Sequence, residues 1–206
     1  MKIINHQRKS RQGFTLIEMI GVLAVIAILA SMLIPKIFES INSSRISNTS
    51  GTYNTVKTAL ADHYAKFGSI VSSNGTSVLP VPMNNYDDVL VTEGFLDKPF
   101  AVKIGDGSVA NDVKLAIALT TTATPTATDA AYDLDGDGTN DARPGSVVCY
   151  ALISGVVASD AYDLSKRLDG DVMSIATGAD LKGRVKYADP ATTGGATDVY
   201  VYITHR

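Results

Sequence analysis

Two places in this chain concentrate groups that could do chemistry, one in a polar turn and one in an apolar run. Asp133-Leu134-Asp135-Gly136-Asp137-Gly138-Thr139-Asn140-Asp141 sets an oxygen ligand at every second position of a Gly-rich turn. Hard cations take six to eight oxygens. The run follows the first nine positions of an EF-hand-type calcium loop: Asp at 1, 3 and 5, Gly at 6, a backbone carbonyl at 7 and Asp at 9. The twelfth position is Pro144, where that loop needs a bidentate Glu, and no clear helix flanks each side. The expectation is a structural calcium site of the extracellular kind, with a dissociation constant of about 10⁻⁴–10⁻³ M. Asp133, Asp135, Asp137 and Asp141 would bind through side chains and Thr139 through its carbonyl. The alternative is an acidic turn that only keeps the surface soluble, although clustered carboxylates repel one another without a cation.

The second place is Glu18, the one charge among the 21 residues from Phe14 to Ile34. As a helix that run is roughly 31 Å long at about 1.5 Å per residue, close to the roughly 30 Å hydrocarbon core of a bilayer. Lys2, Arg8, Lys9 and Arg11 precede it with no acid among them. The positive-inside bias then keeps the N-terminus cytoplasmic and sends everything after Lys36 outside. A carboxylate at mid-bilayer costs on the order of 2.5–3.5 kcal/mol on insertion scales and usually has a partner. Glu18, one turn past Phe14, is shallow: it either reaches the headgroups or meets a positive charge in the same layer. Cleavage between Gly13 and Phe14 would create such a charge, a new α-amino group.

A short basic leader ending at Gly13, then Phe14-Thr15-Leu16-Ile17-Glu18, then an apolar run with Pro35 near its end, resembles the type IV prepilin family of pilins and type II secretion pseudopilins. The resemblance covers about residues 8–40. It implies that a membrane prepilin peptidase cuts after Gly13 and methylates the Phe14 amine. It also implies that Glu18 neutralises the Phe14 amine of a neighbouring subunit as helices pack into a filament. At about 4 Å and an effective dielectric near 20 such a pair attracts by roughly 4 kcal/mol before desolvation. An ordinary secretory signal fits less well, since its apolar core is about 7–15 residues with a small-x-small cleavage site behind it.

The elements that must position these groups follow. The helical pattern continues past Pro35, which kinks or loosens the turn before it. Ile41 to Thr55 is rich in Ser, Asn and Thr and weak in helix propensity. Tyr53, Val56, Leu60, Tyr64 and Phe67 then form one apolar face, and Gly68 stops the helix. His63, beside that face, reads as a packed or surface residue. Ser69 to Asn85 is a loop with Asn74-Gly75, and the stretch from Tyr86 begins with a short helical turn. Strands are expected at Phe100–Ile104, Val113–Leu119, Val147–Val157, Val172–Ala176, Arg184–Tyr187 and Val199–Thr204, with a hairpin at Asp106-Gly107. Thr120 to Ala131 reads as a surface loop. The fold class is α+β: a long N-terminal α-helix, membrane half plus amphipathic half, on a C-terminal antiparallel β-sheet, pilin-like. The divisions are 1–13 leader, 14–36 transmembrane and filament-core helix, 37–68 amphipathic half-helix and 69–206 β-rich head.

Composition narrows the function. Without residues 1–13 the chain keeps 14 basic and 21 acidic residues, a net charge of −7, which argues against a nucleic-acid partner. Lys182-Gly183-Arg184-Val185-Lys186, the one basic cluster, reads as a solvated strand edge. Asp160, Asp163, Asp169 and Asp171 read as a solvated connection from which one carboxylate could reach the same metal. Cys149 is the only cysteine, so no internal disulfide forms, and its apolar neighbours mark a buried strand thiol. No Ser/His/Asp set, CxxC pair, HExxH or phosphate loop appears, so no enzyme is expected. The reading is a structural subunit of a type IV pilus-like filament. Its partners are other copies of itself, a prepilin peptidase, inner-membrane assembly machinery and the membrane. The precursor would be single-pass in the inner membrane with a periplasmic head, then part of an extracellular filament or periplasmic pseudopilus. A secretion pseudopilin or minor pilin is the alternative within the family, and a membrane-tethered calcium-dependent adhesin the alternative outside it.

Overall fold

A computed structural model describes residues 13–73, 78–105, 113–192 and 194–206. The hairpin expected at Asp106-Gly107, the Asn74-Gly75 turn and residues 1–12 of the leader lie outside the described residues. The chain divides into two compact units, one ending at Ile41 and one from Asn42 to Arg206.

One helix, α1, spans Leu16–Phe67 without interruption, Pro35 included. Pro35 cannot donate to the Ser31 carbonyl, and the Ser31 hydroxyl turns back to the carbonyl of Ile28 at 2.8 Å. Up to Ile41 the large apolar side chains are exposed, from Leu16 through Leu23, Leu29 and Ile34. An 18-residue window of α1 has a mean hydropathy of 2.6, enough by length and composition to cross a membrane. The weak stretch Ile41 to Thr55 stays helical because tertiary packing outweighs propensity. Ile46, Thr49 and Tyr53 are buried there, and the Thr49, Thr52 and Thr55 hydroxyls bond to carbonyls one turn back.

The second unit holds a sheet of β1 (Val113–Leu119), β2 (Val147–Val157), β3 (Val185–Tyr187) and β4 (Ala196–His205), all antiparallel in the order β1-β2-β4-β3. Strand alternation gives it two faces. Leu115, Ile117, Cys149, Ala151, Ile153, Val199, Val201 and Ile203 meet Ile46, Tyr53, Val56 and Leu60 of α1 in the main core. Helix α2 (Tyr86–Thr92) and α3 (Ala158–Asp169) add Tyr86, Leu90, Ala161 and Leu164 to it. On the other face Val148, Tyr150, Tyr200 and Tyr202 are covered by Ala130, Tyr132, Leu134 and Ala142 from the long β1–β2 connection.

That connection corrects the expectation of a plain surface loop from Thr120 to Ala131: Thr120, Ala130 and Ala131 are buried. What pins it is Lys186, read from sequence as part of a solvated edge but fully buried. Its Nζ lies 2.7–2.8 Å from the carbonyls of Thr126, Asp129 and Ala131 and from Asp129 Oδ1, and 4.3 Å from the Tyr132 ring centroid. Arg184 is likewise engaged, with Asp169 at 3.0 Å. Phe100–Ile104 is no strand: Phe100 and Ile104 bury their side chains, and the Phe100 N–H donates to the Asp87 carboxylate at 3.1 Å. Val172–Ala176 is a turn segment after α3, with Val172 wholly exposed. The supposed solvated connection of Asp160, Asp163 and Asp169 is α3 itself. Ala161 and Leu164 face the core with Leu168 packed against it, at helical spacing.

His63 is packed, as expected, and its partners are polar. Nε2 lies 3.0 Å from Glu93 Oε2 and Nδ1 3.4 Å from the Tyr86 hydroxyl, among the Phe67 and Phe95 rings. Burial holds the imidazole below its ordinary protonation range, and Glu93 opposes the shift. The unfolded chain then binds that proton more readily than the folded one, so stability is full above the ordinary histidine range and falls as pH drops through it. The expected result is a lower melting temperature at pH 6 than at pH 7.5, with the difference reduced in His63→Gln, read by circular dichroism.

Candidate processing, assembly and metal-binding sites

Gly13, Phe14 and Thr15 precede the first turn of α1. Thr15 caps it: its N–H and Oγ1 donate to Glu18 Oε2 at 2.8 and 2.7 Å, and the Glu18 N–H donates to Thr15 Oγ1 at 3.3 Å. This is a capping box, Thr-x-x-Glu, and it satisfies donors that a helix start otherwise leaves open. Sequence reading gave Glu18 a partner in another subunit and missed this one, although the Thr15-to-Glu18 spacing signals it. Both Thr15 bonds use Oε2; among the described residues Oε1 accepts none. Phe14 is exposed. A Cβ at Gly13 would meet nothing within 4 Å, so local packing does not require the glycine.

The Asp-rich turn sits in the β1–β2 connection, on the sheet face away from α1. Its geometry is built by backbone donors. Asp133, buried, accepts from the N–H groups of Gly136 and Gly138 through Oδ1 and Oδ2, at 2.6 and 2.9 Å. Asp141 Oδ2 accepts from Leu134 and Asp135 N–H. Gly136 and Gly138 turn with φ of 87° and 89°, a region that favours glycine. Asn140 ties the turn inward through Thr120 Oγ1 and the Thr122 carbonyl, and the Gly183 N–H donates to the Asp133 carbonyl at 2.7 Å.

The result brings three of the expected ligands together. Asp133, Asp135 and Asp141 each offer a carboxylate oxygen within 4.8 Å of the others. Asp137 is outside that group: its Oδ1 accepts the Thr139 N–H and hydroxyl at 2.7 and 2.6 Å. These bonds hold the Asp137 carboxyl below the usual carboxylate range, so it stays ionised. Neither α3 nor the turn after it adds a carboxylate to the trio among the described residues. Three convergent carboxylates suit a hard divalent cation.

A family model described as the prokaryotic N-terminal methylation motif matches residues 8–34. No curated protein and no solved structure matches the chain. The motif implies processing by a prepilin peptidase and assembly into a filament, and with the apolar start of α1 behind it fits a membrane-anchored precursor. The chain carries the prepilin-type signal of type IV pilins and pseudopilins at the head of a long helix packed on a four-stranded antiparallel sheet, a pilin-like α+β fold.

Proposed function

We propose that the chain is a structural subunit of a type IV pilus-like filament: cut after Gly13, methylated at Phe14, and assembled through the apolar start of α1 with the head on the periplasmic side. What carries the reading is the prepilin-type signal set directly ahead of a helix whose apolar side chains are exposed. Such a surface in water is a strong drive to bury itself in lipid or against other copies. Glu18 is the assembly acid, facing the Phe14 amine of a neighbour, and Gly13 the small residue at the cut. Shearing cells and weighing the protein tests it. Mature chains of 193 residues with one added methyl in the filament fraction are expected, and a protein that keeps its leader would sink the reading. Gly13→Ala is expected to slow the cut.

The Asp133, Asp135 and Asp141 trio supports calcium as a structural ligand of the head, ordering the turn ahead of β2. Millimolar calcium is expected to raise the melting temperature of the processed chain, and Asp135→Asn to abolish the rise. No calcium heat in isothermal titration would remove the site. The same trio favours a type II secretion pseudopilin as the second reading, distinguished by whether export or surface filaments fail when the protein is deleted.

A further inference from the structure

On the α1 side of the sheet, α1 and segment 96–103 border a groove of about 620 Å³. Gly51, Thr52 and Thr55 line its helix side, small enough for another main chain to come close. Lys98 and Lys103 line the other side, exposed and without an ion-pair partner among the described residues. Arg45, whose Nε donates to the Lys103 carbonyl at 2.7 Å, lies beside them with its guanidinium paired to Asp160 at 3.8 Å, and Asp97 is the acid in the lining. The opposite face of the same sheet carries the Asp-rich turn. Its tip is Gly136-Asp137-Gly138, with Met173 packed at Gly136 and Lys182 Nζ donating to the Gly136 carbonyl at 3.2 Å, and its Asp137 is exposed, apart from the three converging carboxylates and in no ion pair among the described residues.

We propose that the tip of one copy, led by the Asp137 carboxylate, docks in the Lys98–Lys103 groove of the next copy. This rests on the filament reading and extends it from the helix to the head. Groove and tip share no residues and lie on opposite faces of one sheet, so the contact is heterologous and repeats along an open row instead of closing a dimer. Opposite charge brings the two surfaces together, and the main-chain turn between two glycines fits a groove floored by small residues. The converging trio behind the tip holds its shape while Asp137 makes the contact.

Disulfide trapping in the full chain tests it, because the one native cysteine, Cys149, is buried and leaves added thiols distinct. Cells making Asp137→Cys/Lys98→Cys, or Asp137→Cys/Lys103→Cys, are oxidised, and sheared filaments and membranes are run without reductant. The expected result is a ladder of dimers and higher multiples from at least one double variant, collapsed by reductant and absent from each single variant. Filaments that form but give no ladder, or single variants that cross-link as well as the doubles, overturn the docking and leave the filament reading intact. A ladder in membranes from a protein that never enters filaments supports the docking and overturns the filament reading. No cross-link in either fraction overturns the docking.

Discussion

Lys186→Met is expected to destabilise the processed chain by about 3–5 kcal/mol, the range for breaking one side of a buried ion pair. For a domain of this size that is a fall in melting temperature of roughly 10 °C. The reason lies in what the ammonium holds. Four oxygens lie 2.7–2.8 Å from Nζ, three of them main-chain carbonyls of the β1–β2 connection. An ammonium has three N–H donors, so they serve three oxygens at once and share the fourth. Burial pushes the Lys186 ammonium towards losing its proton, and Asp129 resists this. Every group around Nζ is an acceptor, so the charged form is the one the cage fits. Methionine fills the space and donates nothing, leaving those carbonyls and the Asp129 carboxylate without the three N–H donors of the ammonium in a dry place. Lys186→Arg keeps the charge but has a planar fork where the cage needs a point donor, and it is expected to recover little. Adding Asp129→Asn to Lys186→Met is expected to cost less than the sum of the two single changes. A Lys186→Met chain that melts with the parent would show that the connection holds to the sheet without this ammonium.

The limits of reading the chain come from the distance over which side chains find partners. The α1 face from Tyr53 to Phe67 was legible because helical periodicity is local, and the Asp-rich turn was legible because its carboxylates lie within nine residues. Lys186 and Asp129 stand 57 residues apart, and no pattern near Lys186 announces a partner; beside Lys182 and Arg184 it looks like one more basic residue at an edge. His63 and Glu93 are hidden in the same way. Helix α3 was legible in principle: Ala161, Leu164 and Leu168 have helical spacing, but the acids between them drew attention to charge and away from period. Phe100–Ile104 shows the converse error. Alternating apolar residues there do bury themselves, yet Asp87 takes the Phe100 N–H that a sheet ladder would use, so burial came without a strand. Inside the Asp-rich turn, spacing alone could not show that Asp137 accepts from Thr139 while the other three carboxylates converge.

A pair of substitutions separates the capping box of Glu18 from the proposed pairing with a neighbour's amine, and if that pairing holds, near-complete loss of filaments is expected even from Glu18→Gln. Glu18→Gln keeps the capping box, since Gln serves at that position as Glu does, and it removes the charge. Glu18→Ala removes both the cap, about 0.5–2 kcal/mol by analogy with other lost caps, and the charge. If the acid pairs with the Phe14 amine of a neighbour, both variants are expected to insert and to be cut after Gly13, and both to leave little protein in the sheared fraction. The amine would then sit in an apolar layer without its counter-charge at every subunit, and each 1.4 kcal/mol lost at one contact is already tenfold in its equilibrium constant. If the Thr15 bonds are the whole purpose of Glu18, the Gln variant assembles like the parent and only the Ala variant is impaired. Immunoblots of sheared and membrane fractions, with intact mass to confirm the cut, read the two cases apart. Normal filaments from Glu18→Gln would confine the carboxylate to its own helix and remove the intersubunit pair from the account of assembly.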